Sequence, residues 1–288
     1  MKTIKTSLLL VLCVLLIQSC KKADQWQENL LDNKRSQTLY SISYGSDSRN
    51  QMDIALPKNR TTNTAVVVLI HGGAWVFGDK SYFATDIQKF ADEGIACATI
   101  NYRFASDIKG LHNNEIVADI RKAIDFIASK SESWQVSPNR FGIAGHSAGG
   151  LLAMITAYTK NEDGKIKACA SWAGPIDLID ADQLKISGSN ELFKLYVGHS
   201  LSSSSDTTFY KEASPYWMLN SNSVPTLLIH GTLDPGVPHC NAVKMKQKLD
   251  NLGVQNSFLS MEGAYHIWTG QHLKQARSAT LYWFETKL

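Results

Sequence analysis

The chain is poor in cysteine, in surplus charge and in long apolar runs, and each shortage excludes a class of function. Five cysteines among 288 residues show no spacing that suggests zinc, a redox pair or a disulfide framework. Cys97 and Cys169 sit inside the apolar runs IACATI and IKACASW, as small buried residues do, and Cys240 is the remainder. The formal charge is only +3, and two of those charges, Lys2 and Lys5, stand at the very start. The rest is close to neutral and offers no basic surface for nucleic acid. No internal repeat is visible. The apolar run LLLVLCVLLI is ten residues long. At 1.5 Å per residue it reaches about half of the roughly 30 Å hydrocarbon core, too short for a permanent span.

What is present is more informative. With 44% hydrophobic residues, 7 Trp, 10 Tyr and 10 Phe, the chain can build one large core. Its start, MKTIKTS followed by the ten apolar residues and then QSC, has the layout of a secretory signal. The ending Ile17-Gln18-Ser19-Cys20 resembles a bacterial lipoprotein cleavage box. That resemblance implies a signal peptide over 1–19 and a lipid on Cys20, which would anchor the protein at the cell envelope. Cleavage nearby, releasing a soluble exported product, is the alternative. Residues 20–36 are polar and unpatterned, as a tether would be.

From residue 37 onward, apolar strands alternate with helices. QTLYSISYG and QMDIALP look like an opening antiparallel pair. AVVVLI, IACATI, RFGIAG, IKACASW, VPTLLIHG and QNSFLSM follow as strands. Helices are expected over 82–93, 115–130, 148–160, 238–251 and 270–287. The second carries Ile116, Ile120, Ile124 and Ile127 at helical spacing. This alternation specifies an α/β fold, a mainly parallel sheet with helices on both faces. The stretch 174–224 interrupts the rhythm, and an insertion of that length is usually a lid or a binding loop. Tyr196, Tyr216 and Trp217 within it either line a pocket or only pack the insertion onto the sheet.

Chemistry concentrates in three places. Gly-His-Ser-Ala-Gly (145–149) falls where a strand turns into a helix. A serine there is strained and crowded, so its neighbours two positions away must lack side chains. Ser147 is the candidate nucleophile. A serine hydroxyl needs a base held in one tautomer, in the chain order Ser, acid, His. Asp234, in the Gly- and Pro-bounded turn of HGTLDPGVP, is the candidate acid, although an Asp before Pro is also a common turn former. His266, in FLSMEGAYHIW, is the candidate base. His272 lies inside the last helix, His239 follows Asp234 too closely, and His146 and His230 are expected to point elsewhere. In HGGAW (71–75) the glycines let backbone N–H groups approach a carbonyl oxygen, so Gly73 and Ala74, with Ala148, form a candidate oxyanion hole. His71 is expected to brace that loop.

Together HGGAWVFGDK, NYRF, GHSAGG, HGTLDPGVP and GAYH resemble the α/β-hydrolase superfamily, in its esterase branch related to hormone-sensitive lipase. YGSDSRNQMDIALP is similar to small bacterial feruloyl and acetyl esterases acting on plant polysaccharides. The resemblance covers nearly all of 37–288, the expected catalytic domain. It implies a serine carboxylic-ester hydrolase that works through an acyl-enzyme without metal or organic cofactor. Short-acyl or hydroxycinnamoyl esters of carbohydrate are the substrates it implies. Two departures stand out. Ala74 replaces the third glycine of the usual HGGG, and no large N-terminal cap is present. The insertion is therefore expected to act as a partial lid, with Trp75, Tyr216 and Trp217 in the substrate pocket. A peptidase or lipase of the same fold, or a binding lipoprotein on a retired scaffold, are the rival assignments.

Overall fold

Val66, Val68 and Ile70 face one way along their strand and Val67 and Leu69 the other, and all five are buried. Such a strand must lie inside a sheet covered on both faces. The computed structural model describes residues 31–201 and 207–288. The expected signal peptide, Cys20, the tether up to residue 30 and the run Ser202–Ser205 lie outside the described residues.

Eight strands make one sheet: β1 (Gln37–Ser43), β2 (Gln51–Leu56), β3 (Val66–Ile70), β4 (Ala96–Ile100), β5 (Phe141–His146), β6 (Ile166–Trp172), β7 (Thr226–Gly231) and β8 (Asn256–Met261). Their spatial order is β1-β2-β4-β3-β5-β6-β7-β8. β2 is antiparallel to both neighbours, and every pair from β4 across to β8 is parallel. Helices α1 (Asp86–Asp92), α2 (Asn113–Ser129), α3 (Ser131–Trp134) and α4 (Ala148–Thr159) come from the first half. The second half adds α5 (Ala181–Leu184), α6 (Ser189–Val197), α7 (Thr207–Glu212), α8 (Pro215–Met218), α9 (Cys240–Asn251) and α10 (Gly270–Lys287).

Two apolar cores follow from the strand alternation. On one face Val66, Val68 and Ile70 meet the isoleucine stripe of α2, Leu151 and Leu152 of α4 and Met245 of α9. On the other, Val67, Leu69 and Ala144 meet Phe90 of α1 and Trp283 and Phe284 of α10. Burying each such side chain contributes about 1.5–3 kcal/mol.

The structure departs from the expected pattern in two places before the insertion. The helix expected over 82–93 is split into a 3-10 turn, Lys80–Phe83, and α1. Asp79 caps that turn through Ser81 N–H, Lys80 N–H donates to Asn101 Oδ1, and Thr99 Oγ1 donates to Lys80 O. These bonds hold the turn against the strand ends, so the chain bends before the helix begins. The second departure concerns the tether. Its last residues are docked, because the buried Arg60 guanidinium donates to the carbonyls of Asp32, Arg35, Pro57 and Trp134 and to Gln37 Oε1.

The insertion folds into α5–α8 and packs down, with α8 against α4. Among the described residues no helix is long and apolar enough to cross a membrane.

Candidate active site

The site stands at the carboxyl ends of the parallel strands, where open α/β sheets place their ligands. β5 ends at His146 and α4 begins at Ala148, leaving Ser147 alone at the bend with φ 54° and ψ −123°. For a residue with a side chain this backbone is strained by about 1–3 kcal/mol, which the surrounding structure must over-determine. Ser147 N–H donating to Trp172 O at 2.7 Å is part of that restraint. The neighbouring glycines are required. A Cβ on Gly145 would lie 2.3 Å from Gly149 O, and one on Gly149 would lie 2.2 Å from Ile70 O.

Asp234 lies in the turn after β7, and His266 in the loop after β8. The two loops are joined: Thr232 N–H donates to Met261 O, Leu233 N–H to Ala264 O and Gly263 N–H to Thr232 Oγ1. Ser147, His266 and Asp234 therefore meet although they are far apart in sequence. His266 Nε2 is 2.8 Å from Ser147 Oγ, and its Nδ1 is 2.7 Å from Asp234 Oδ2. With Nδ1–H donating to the carboxylate, Nε2 is free to accept from the hydroxyl. The other carboxylate oxygen, Oδ1, accepts Gly236 N–H at 2.9 Å and Val237 N–H at 2.8 Å. Burial pushes the Asp234 carboxyl up, but hydrogen bonds from His230 and His266 outweigh it and hold the group below the usual carboxylate range.

The sequence placed His146 and His230 away from the reaction. The structure corrects both. His146 Nε2–H donates to His266 O at 2.9 Å, and its ring stacks on Tyr82. Burial, then the neighbouring His266, pull its pKa down to about 4, so it is a neutral donor. His230 is 1% exposed, and its Nε2–H is shared between Val237 O at 2.8 Å and Asp234 Oδ2 at 3.3 Å. Two imidazoles thus serve one carboxylate oxygen. The reason is local: residues 230 and 234 flank a tight turn that brings them back together. His239 begins α9 and meets Ser260, and His272 rides on α10, neither of them in the triad.

The HGGAW loop after β3 turns sharply, with positive φ at Gly73, Ala74 and Trp75. A Cβ on Gly73 would lie 2.0 Å from Phe77 O. Among the described residues the N–H groups of Gly73, Ala74 and Ala148 have no hydrogen-bond acceptor. His71 braces this loop as expected. Its Nδ1–H donates to Gly72 O at 2.6 Å, and its ring stacks on Tyr102. Arg49, from the YGSDSRN stretch, adds a clamp by donating to Tyr102 O and Gly78 O at 2.7 and 3.1 Å.

A cavity of about 310 Å³ opens between this loop, Ser147 and His266. Phe77, Tyr82 and Ile267 give it an apolar wall, and Asp79 stands at its edge. None of Trp75, Tyr216 or Trp217 lines it, and neither does any described residue of 174–224. Trp75 is 2% exposed and stacked on Tyr196, because the turn at 73–75 sends the indole into the core. Trp217 Nε1–H donates to Asp177, and Lys248 sits over Tyr216. The described residues of the insertion pack beneath the loop, Tyr196 against Trp75, and none of them covers the cavity as a lid. Phe77, Tyr82 and Ile267 were visible only as apolar residues in otherwise polar or Gly-rich loops, a weak signal.

A family model described as BD-FAE matches residues 52–249 of the chain, well over half of it. The chain belongs to the BD-FAE family. This BD-FAE chain is 27% identical over 245 residues to a probable isoprenylcysteine alpha-carbonyl methylesterase of Arabidopsis thaliana, covering 78% of this chain and 50% of that protein. It is 25% identical over 239 residues to Esterase LipC of Mycobacterium tuberculosis (strain ATCC 25618 / H37Rv), covering 78% and 58%. The chain spans about half the length of the curated relatives it matches. Among solved structures, a truncated carbohydrate esterase from gut microbiota superposes with a TM-score of 0.72 at 22% identity, over 89% of this chain and 99% of that one. Esterase B from Lactobacillus rhamnosis superposes with a TM-score of 0.71 at 14% identity, over 95% and 94%. The fold is that of the α/β-hydrolase esterases.

Proposed function

We propose that this BD-FAE protein is a serine carboxylic-ester hydrolase with Ser147, His266 and Asp234 as its triad. The observation that carries it is the continuous hydrogen-bonded series Ser147 Oγ to His266 to Asp234, at 2.8 and 2.7 Å, beside three backbone N–H groups that have no acceptor among the described residues. Ser147 Oγ attacks the ester carbonyl carbon as His266 Nε2 takes its proton. The oxyanion is received by the N–H groups of Gly73, Ala74 and Ala148. His266 then returns the proton to the departing alkoxide, leaving an acyl-enzyme. Water, deprotonated by the same imidazole, releases the acid and restores the serine.

Short-acyl or hydroxycinnamoyl esters of carbohydrate are the substrates we favour. The cavity's size and its Phe77, Tyr82 and Ile267 wall support an acyl group up to an aromatic one. Names of relatives, including a methylesterase, support ester chemistry in general. We place the protein, on its first twenty residues, at a bacterial envelope with a lipid on Cys20. Hydrolysis of p-nitrophenyl acetate, butyrate, octanoate and ferulate by wild type and Ser147→Ala tests the assignment. Ser147→Ala is expected to lose about 10⁴-fold or more in kcat. Equal rates for both proteins would sink the assignment.

A further inference from the structure

A second and larger cavity, of about 400 Å³, lies on the other side of the molecule's catalytic wall, between α1 and α10. Its floor is sheet: Leu69 of β3 and Trp172 of β6, with Phe90 of α1 and Leu281 of α10 as sides. Nothing in the proposed ester chemistry uses it. The size is within the roughly 300–1,000 Å³ range of small-molecule sites.

Charge at the rim is one-sided. Asp86 is 4% exposed, and its carboxylate is taken up by the Arg277 guanidinium, which pairs with both of its oxygens. Lys89 and Lys274 also stand at the cavity and make no ion pair among the described residues. Once the Asp86–Arg277 pair is discounted, two ammonium groups remain over an apolar floor. Asp86, Lys89 and Phe90 recur on one face of α1, and Lys274, Arg277 and Leu281 on the facing side of α10. Each helix thus contributes both apolar surface and cations.

We propose that this cavity is a second binding site, for a small amphiphile with one carboxylate and an apolar body. The carboxylate faces Lys89 and Lys274, and the body lies on Phe90, Trp172 and Leu281. A neutral apolar ligand would leave the ammonium pair unused, and a polar dianion would leave the floor unfilled. The site is physically continuous with the catalytic wall. Phe83 packs edge-on to Trp172 at 5.5 Å, Trp172 lies 5.6 Å from Trp268, and Trp268 lies 5.9 Å from His146.

Decanoate is the probe, titrated by calorimetry into the whole protein at low and at 0.5 M salt. One equivalent is expected to bind, with affinity falling as salt rises. The double variant Lys89→Glu/Lys274→Glu, altered only at exposed positions, is expected to bind at least tenfold more weakly. Leu281→Trp, which fills the cavity, is expected to abolish binding, while Ile267→Trp, which fills the catalytic cavity, leaves it. Absence of binding to wild type overturns the proposal. So does loss in Ile267→Trp with retention in the lysine double variant, which would put decanoate beside Ser147. Because the readout is binding, failure of the esterase assignment would leave this result unaffected.

Discussion

Acidification should destabilise this protein before its low-lying carboxylates begin to contribute. His146 and His71 are both buried, at 5% and 1% exposure, and burial pulls each from an ordinary value of 6.5 down to about 4. Neither is charged in the folded state at pH 5, whereas both are largely charged when unfolded. The unfolded chain therefore binds more protons between about pH 6.5 and 4, and stability falls as pH drops through that window. A group displaced from 6.5 to about 4 loses roughly 2.5 kcal/mol by pH 4.5, and two such groups about 5 kcal/mol. That is comparable to the whole stability of a marginal domain, about 5–15 kcal/mol. Carboxylates held low, Asp234 among them, add their loss only below about pH 4, so the window belongs to the histidines.

Urea midpoints measured at constant ionic strength at pH 7.5, 6, 5 and 4.5 should therefore fall steeply over the last two steps. His71→Gln and His146→Gln, which cannot titrate, should each remove about half of the slope whatever they do to stability at pH 7.5. A midpoint that is flat from pH 7.5 to 4.5 would refute the reasoning, as would variants that keep the full slope.

Two further outcomes follow from specific contacts. His230→Phe removes the second donor to Asp234 Oδ2 and should lower kcat on p-nitrophenyl acetate about tenfold with little change in KM, from a charged hydrogen bond worth about 1.5–3 kcal/mol. His230→Gln, which can restore a donor, should recover part of the loss, and equal rates for all three proteins would show that His230 does not act through Asp234. Arg60→Met strips donors from four carbonyls in a buried site and should cost roughly 3–5 kcal/mol in chemical denaturation, with residues 31–36 gaining protease sensitivity. Resistance of that segment equal to wild type would count against the staple.

Different parts of this molecule were legible to different degrees, and the reason is the range of the interactions that decide them. Strands such as Val66–Ile70 and the helix Asn113–Ser129 announce themselves because periodicity is local. Ser147 was visible because steric crowding at the bend writes glycines at 145 and 149, two residues away. Asp234 and His266 followed from chain order and from the turn chemistry around them. His230 and His146 were misplaced because their roles depend on which way a ring turns at a strand end. That is fixed by a carbonyl seven residues away for His230 and 120 residues away for His146. Trp75 shows the same limit from the opposite side. An aromatic next to an oxyanion loop looks like a pocket wall, yet three successive positive φ angles aim it inward onto Tyr196, in the middle of the insertion. That stack, at 4.3 Å between centroids, makes the insertion part of the scaffold under the oxyanion loop. The open wall of the cavity beside Ser147 is left to Phe77, Tyr82 and Ile267, of which Tyr82 stacks on His146 and Ile267 directly follows His266. Specificity in this fold can thus change at three exposed side chains without disturbing the buried turn that holds the N–H groups.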